Sequence, residues 1–87
     1  MDWPYRGEKL FYTPCGCADS CWNAEVRSRK DGHLLAVLSS DCEQVLFQIG
    51  KHGQPRRVAD IKEFEQDDKF ERITATLVRE LKRRTFP

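Results

Sequence analysis

The central part of the chain, residues 33–50, is its most apolar and least charged stretch. Its first half is a nearly continuous apolar run, and its second half alternates apolar and polar positions from Val45 to Ile49. An alternation with a period of two is typical of a β-strand. A Ser-Ser-Asp break separates the halves and favours a turn, because these short side chains hydrogen-bond their own backbone. The pattern predicts two antiparallel strands, over 33–39 and 43–49.

A second alternating stretch precedes this pair. Residues 22–29 place small and apolar side chains on one face and polar or charged side chains on the other. The Asp31-Gly32 pair that follows favours a tight hairpin turn, with positive φ values at both positions. Three consecutive strands then form an antiparallel meander. An aromatic-rich segment before Pro14, residues 8–13, is interpreted as a short additional strand.

The last third of the chain has a hydrophobic period of about 3.6 residues. Apolar residues recur there at spacings of three and four, at Phe70, Ile73, Leu77 and Leu81. We expect a short helical turn over 58–65, a break at 66–67 and a main helix over 68–84. One continuous helix is the alternative. Acids concentrate before this helix and bases near its end, which suits the helix dipole.

These elements predict one α+β domain over residues 1–87, with an antiparallel meander of three or four strands and one main C-terminal helix packed on one face. An irregular arm occupies 1–7, the sheet 8–57 and the helical part 58–84, and a cysteine-rich loop interrupts the sheet at 14–21.

One helix covers only one face of such a sheet, so a second apolar face is expected. Its predicted residues are Leu34, Ala36, Leu38 and Leu46. This surface needs a cover, which could be the N-terminal arm, a second copy of the chain or a different protein.

Charge and hydropathy exclude several classes of function. The formal net charge is +1, from 15 Lys and Arg against 14 Asp and Glu, so no global field attracts nucleic acid or an anionic membrane. No apolar run approaches the roughly 20 residues that span a bilayer, and residues 1–7 lack the pattern of a signal peptide. We therefore expect a cytoplasmic protein that makes no membrane contact.

The cysteines form the most unusual feature of the composition. Four thiolates could hold one zinc ion: Cys15, Cys17, Cys21 and Cys42. Their C-x-C-x3-C spacing differs from the usual structural zinc motif, and His33 or His52 could replace one thiolate. A disulfide is a second alternative. Reduced cysteines without a metal are the favoured interpretation.

Enzymatic chemistry is not expected from this sequence. A C-x-x-C redox motif and an activating helix start are absent, as are phosphate-binding loops and metalloprotease motifs. Pairs such as Cys42 with either histidine occur in any chain of this composition and indicate no geometry.

The favoured function is a small non-enzymatic protein-interaction or regulatory module, with a protein partner or a homodimer. Its predicted contact residues are of types common in interface hot spots, namely Trp3, Trp22, Arg27 and Arg29. The alternative is a nucleic-acid-binding module, which zinc could stabilise. It would use a local basic face on which Arg27 and Arg29 meet Arg56 and Arg57, beside an aromatic ring such as Trp22 or Phe11.

Overall fold

The fold is α+β, as predicted, and in the part of the chain that the structure describes its sheet has five strands instead of three or four. The structure is a computed structural model and describes residues 3–14, 22–40 and 43–85. In these ranges the strands form an antiparallel meander in the order of the sequence, followed by a short 3-10 turn and a helix. The bounds are β1 Glu8–Pro14, β2 Trp22–Ser28, β3 Leu34–Ser40, β4 Gln44–Ile49, β5 Arg56–Asp60, the 3-10 turn Ile61–Phe64 and α1 Lys69–Thr85.

Strand β5 follows the loop at 50–55, after which the sequence left open either the end of the sheet or a further short strand. Residues 58–60 were expected in a helical turn, but they continue an edge strand in which Ala59 pairs with Val45 of β4. The helical turn begins only at Ile61. Polar residues dominate β5, because an edge strand contributes little to the core. Its pattern therefore carries no alternation that would identify it.

The predicted hairpin between β2 and β3 is present, with a different turn geometry. Gly32 has a φ of 76°, whereas no non-glycine residue in the described ranges has a positive φ. Asp31 therefore does not adopt the left-handed conformation expected of it. Its carboxylate instead accepts the His33 backbone N–H at 3.1 Å, which closes the loop locally.

The core lies between α1 and one face of the sheet. Fully buried side chains include Trp22 and Val26 of β2, Phe47 of β4, and Ile73 and Leu77 of α1. The apolar stripe predicted for the helix and the apolar sides of the strands pack against each other in this single layer.

From Ala36 onward, the two sides of β3 are reversed relative to the sequence interpretation, whereas Leu34, beyond a register shift in the pairing with β2, lies on the second face as predicted. Ala36 and Leu38 were expected on the second face of the sheet, but both are fully buried in the core. Leu38 pairs with Phe47, so it shares the helix side with Phe47. A continuous apolar run has no alternation, and pairing with the neighbouring strands decides its sides.

The second face is consequently less apolar than predicted. Its hydrophobic side chains are the exposed Phe11 and the half-buried Leu34, Val37 and Leu46. Polar and charged side chains such as Glu25 and Arg27 separate them, as is common for a sheet face that contacts water.

The described part of the arm, residues 3–7, covers one end of the core. Trp3 packs against the core cluster, and its Nε1 donates to Glu8 Oε1 at 3.0 Å. The Arg29 backbone N–H donates to the Gly7 carbonyl at 2.8 Å. The arm thus covers part of the helix-side face, and not the second face for which it was one of the proposed covers.

Helix α1 crosses the sheet diagonally. At its start, Lys69 Nζ donates to Tyr12 Oη of β1 at 2.8 Å, and near its end Glu80 is paired with Arg56 of β5. No helix in the described ranges is long and apolar enough to cross a bilayer.

Candidate anion-binding site

Glu80 is a buried carboxylate at the core side of α1. It follows Ile73 and Leu77 at helical spacing, and its side chain is 1% exposed. A carboxylate in this position is unfavourable unless it is ionised beside cations or hydrogen-bonded. The groups that surround this carboxylate therefore have to stabilise its negative charge.

Three arginines surround the Glu80 carboxylate. Arg56 Nη2, from β5, pairs with Oε1. On the other side, Arg79 Nε donates to Oε2 at 3.2 Å, and Arg83 Nη1 lies 3.7 Å from the same oxygen. Arg79 and Arg83 are one helical turn apart, so their side chains project from the same flank of α1. We call Arg56, Arg79 and Arg83 the arginine cluster.

The charge balance of this group favours an anion. Burial alone would raise the pKa of Glu80, but hydrogen bonds from Arg56 and Arg79 outweigh it and lower that pKa below its ordinary value. Glu80 is thus ionised at neutral pH. Among the described side chains, three guanidinium groups surround this one carboxylate, which leaves two positive charges in excess.

The guanidinium groups are also accessible. The side chains of Arg56, Arg79 and Arg83 are 45%, 57% and 67% exposed. A guanidinium has five N–H donors, and each of these groups uses only part of them on Glu80. The remaining donors can bind a carboxylate or a phosphate, and Glu80 holds the three side chains in place before the anion arrives.

The structure places only one of the predicted arginines in this cluster. Arg56 belongs to it, whereas Arg57 lies on the other face of the sheet and pairs with Asp60 at 3.6 Å. Arg27 also lies on that second face, where it pairs with Glu25 at 3.2 Å. Arg29 Nε donates to the Glu8 carbonyl at 3.1 Å, at the start of β1. The four arginines do not form one face.

The structure also places the two tryptophans that were predicted as partner contacts. Trp22 would have to be exposed to contact a partner, but it is 1% exposed, stacks on Tyr12 and packs at a tilted angle against Phe64. Trp3 is half-buried against the core. The alternation already places Trp22 on the same face as Ala24 and Val26, and the helix covers that face.

Sequence reasoning missed Glu80, Arg79 and Arg83 as parts of a site. The arginines were assigned to the helix dipole alone. A signal was present, because Glu80 is the only acid among residues 72–84 and falls within the apolar stripe of the helix. An acid at such a position indicates paired cations nearby.

The predicted zinc ligands Cys15, Cys17, Cys21 and Cys42 lie outside the described residues. Within the described ranges, no three His, Asp or Glu side chains are grouped to hold a metal ion. His33, an alternative ligand, pairs through Nδ1 with Asp31, and hydrogen bonding from His33 lowers the pKa of that carboxyl. His52, the other alternative, is exposed in the loop before β5.

Comparison of this chain with protein families, with curated proteins and with solved structures gives no match.

Proposed function

We propose that this protein is a small non-enzymatic interaction module that binds an acidic segment of a partner protein at the arginine cluster. The supporting observation is the buried Glu80 carboxylate, which holds three half-exposed guanidinium groups with two positive charges in excess. Arginine fixed in this way binds carboxylates with two parallel hydrogen bonds at little entropic cost. The cytoplasmic location expected from the sequence is part of the same proposal.

Nucleic acid is the alternative ligand, because phosphates suit the same guanidinium groups. Two features favour an acidic protein segment. The net charge of +1 provides no long-range attraction for a long polyanion such as nucleic acid, whereas a short acidic segment needs only the local positive charge of the cluster. The exposed aromatic rings of the described part, Phe11 and Phe70, lie on β1 or against it, at the opposite sheet edge from Arg56 on β5. Base stacking beside the arginine cluster therefore has no support from these two rings.

The test is a binding titration by fluorescence anisotropy with two labelled probes, a peptide rich in Asp and Glu and a single-stranded RNA of similar length. The arginine variant carries Arg79→Gln and Arg83→Gln together. Its matched control carries Lys30→Gln and Lys82→Gln, which remove the same charge at exposed positions outside the cluster.

We expect the peptide to bind the natural protein and the arginine variant to bind it at least about tenfold more weakly, which corresponds to about 1.4 kcal/mol. The control should stay within about twofold of the natural protein. Equal losses of peptide affinity in both variants would show that only overall charge matters, and they would reject the site. Tighter binding of RNA than of peptide, with the same loss in the arginine variant, would replace the proposal by the nucleic-acid alternative. Absence of binding to both probes would reject the anion site.

A further inference from the structure

Strand β1 is a seven-residue edge strand, and the described part of the chain pairs it on one side only, with β2. The Arg29 backbone N–H donates to the Gly7 carbonyl, which marks Gly7 and Arg29 as a hydrogen-bonded pair of the antiparallel ladder. Such pairs alternate along a ladder. The backbone groups of Leu10 and Tyr12 consequently point away from β2, toward the open edge.

At each end of this edge, the backbone has fewer groups free to pair with a further strand. The carbonyl of Glu8 already accepts Arg29 Nε at 3.1 Å, and Pro14 has no N–H to donate. The N–H and C=O groups of Leu10 and Tyr12 form the available centre. An open edge of this kind is a template for a further strand.

The open edge has an exposed aromatic ring on each face of the sheet. Phe11, on the second face, is 41% exposed, and Phe70, on the helix side, is 49% exposed. Phe70 packs edge-to-face on Tyr12 of β1, with ring centroids 5.0 Å apart. Within the described residues these are the exposed large hydrophobic side chains. A strand added to β1 would cover apolar surface on both of its faces.

We propose that β1 pairs antiparallel with β1 of a second copy, so that two sheets join into one of ten strands with a twofold axis at Phe11. In this register Leu10 faces the partner's Tyr12 and Tyr12 faces the partner's Leu10. These two pairs exchange four backbone hydrogen bonds. Both helices lie on the same face of the joined sheet, and the two arginine clusters lie toward its opposite ends.

The sequence of β1 suits pairing with itself. Phe11 faces the partner's Phe11 at a non-hydrogen-bonded position, where side chains are closest, and aromatic pairs are favourable there. Lys9 faces the partner's Thr13, so no like charges oppose each other. A shift of two residues in either direction separates the two phenylalanines, and it brings the occupied Glu8 carbonyl or Pro14 against the central residues. The register of seven residues is therefore self-complementary.

The test measures the oligomeric state of the full chain by sedimentation velocity in reductant, from about 1 to about 200 µM, the range in which small interfaces associate. Phe11→Lys and Phe11→Glu each place like charges face to face at the twofold axis. Phe11→Lys is compatible with the monomer, since Phe11 is exposed and pairs with Glu25 of β2. The matched control is Val37→Lys, because Val37 pairs with Glu25 from the other side, away from the edge.

We expect the natural protein to dimerise and each Phe11 variant to raise the dimer dissociation constant at least about tenfold. An equimolar mixture of the Lys and Glu variants should recover the dimer, since opposite charges then meet at the axis. Val37→Lys should dimerise as the natural protein does.

Circular dichroism checks that each variant is folded. A natural protein that stays monomeric throughout, Phe11 variants that still dimerise, or a mixture that does not recover would each overturn the proposal. Loss of the dimer in Val37→Lys alone would point to face-to-face packing and would also overturn it. The arginine cluster does not take part in this interface, so these outcomes are independent of the proposed anion site.

Discussion

The backbone N–H of Trp22 donates to the Oγ of Ser40 across 2.8 Å, and the bond is buried. It lies one step beyond Asn23 and Ser39, the last pair of the ladder between β2 and β3. A side chain thus continues the connection between the strands where the backbone ladder stops. The segments 15–21 and 41–42, which contain all four cysteines, adjoin these two residues in the sequence.

Replacing Ser40 by Ala should destabilise the protein by about 1–3 kcal/mol, because it leaves a buried N–H of Trp22 without its acceptor. The measurement is the free energy of unfolding from a urea titration in reductant. Ser39→Ala, the neighbouring half-buried position on the other face, is the control and should cost less than about 0.5 kcal/mol. Equal costs at the two positions would contradict a special role of the Trp22 to Ser40 bond.

The zinc hypothesis for Cys15, Cys17, Cys21 and Cys42 stays a prediction to be tested directly. We expect a metal-free mass by native mass spectrometry in reductant, since reduced thiols are the favoured interpretation of the spacing. One zinc ion per chain would instead support a structural site that chelators should unfold. Replacing Cys17 by Ser would then remove the metal, and a variant that kept its zinc would exclude Cys17 from the ligand set.

Glu80→Gln should lower the free energy of unfolding at neutral pH. It should also make that free energy fall less steeply as the pH is lowered. The pKa of Glu80 is lowered in the folded protein, so its contribution is fully present above the unfolded-chain pKa of about 4.3. It is lost as the pH falls through the folded-state pKa, because protonation then favours the unfolded chain.

Urea titrations between about pH 7 and pH 2.5 measure this dependence. We expect a loss of about 1–3 kcal/mol at pH 7 for Glu80→Gln, since the carboxylate loses its charge-assisted hydrogen bonds. The difference from the natural protein should shrink as the pH falls. Glu71→Gln, at an exposed position of the same helix, is the control and should follow the natural protein. A Glu80 variant with an unchanged acid transition would show that the arginines do not hold that carboxylate ionised.

Gly53→Ala should destabilise the loop before β5 more than Gly50→Ala does. A Cβ at position 53 would lie 2.1 Å from the backbone carbonyl oxygen of Ile49, so the backbone must shift. Gly50 has a φ of 64° but open space around its Cβ, and the cost there is limited to about 1–2 kcal/mol of left-handed strain. Thermal or urea unfolding of both variants measures the difference. A smaller loss of stability for Gly53→Ala than for Gly50→Ala would mean that the backbone near Ile49 shifts at little energetic cost.

Much of the fold follows from local sequence patterns. The alternation over 22–28 and 45–49 places side chains on two faces of a strand, and the 3.6-residue period after Phe70 places an apolar stripe on a helix. These periods are properties of single elements, so they are visible without knowledge of the neighbours. The α+β class and the position of α1 were predicted within about one residue for this reason.

The sequence by itself determined the strands of the central meander, the helix and its apolar stripe, because each is specified by a period within one segment. Tertiary structure decided the rest. Pairing with β2 and β4 decided that Leu38 faces the helix, since a continuous apolar run has no preferred side. The diagonal path of α1 across the sheet brought Glu80 to Arg56, 24 residues away, and created the arginine cluster. No local pattern encodes such a meeting, because it depends on how two elements pack.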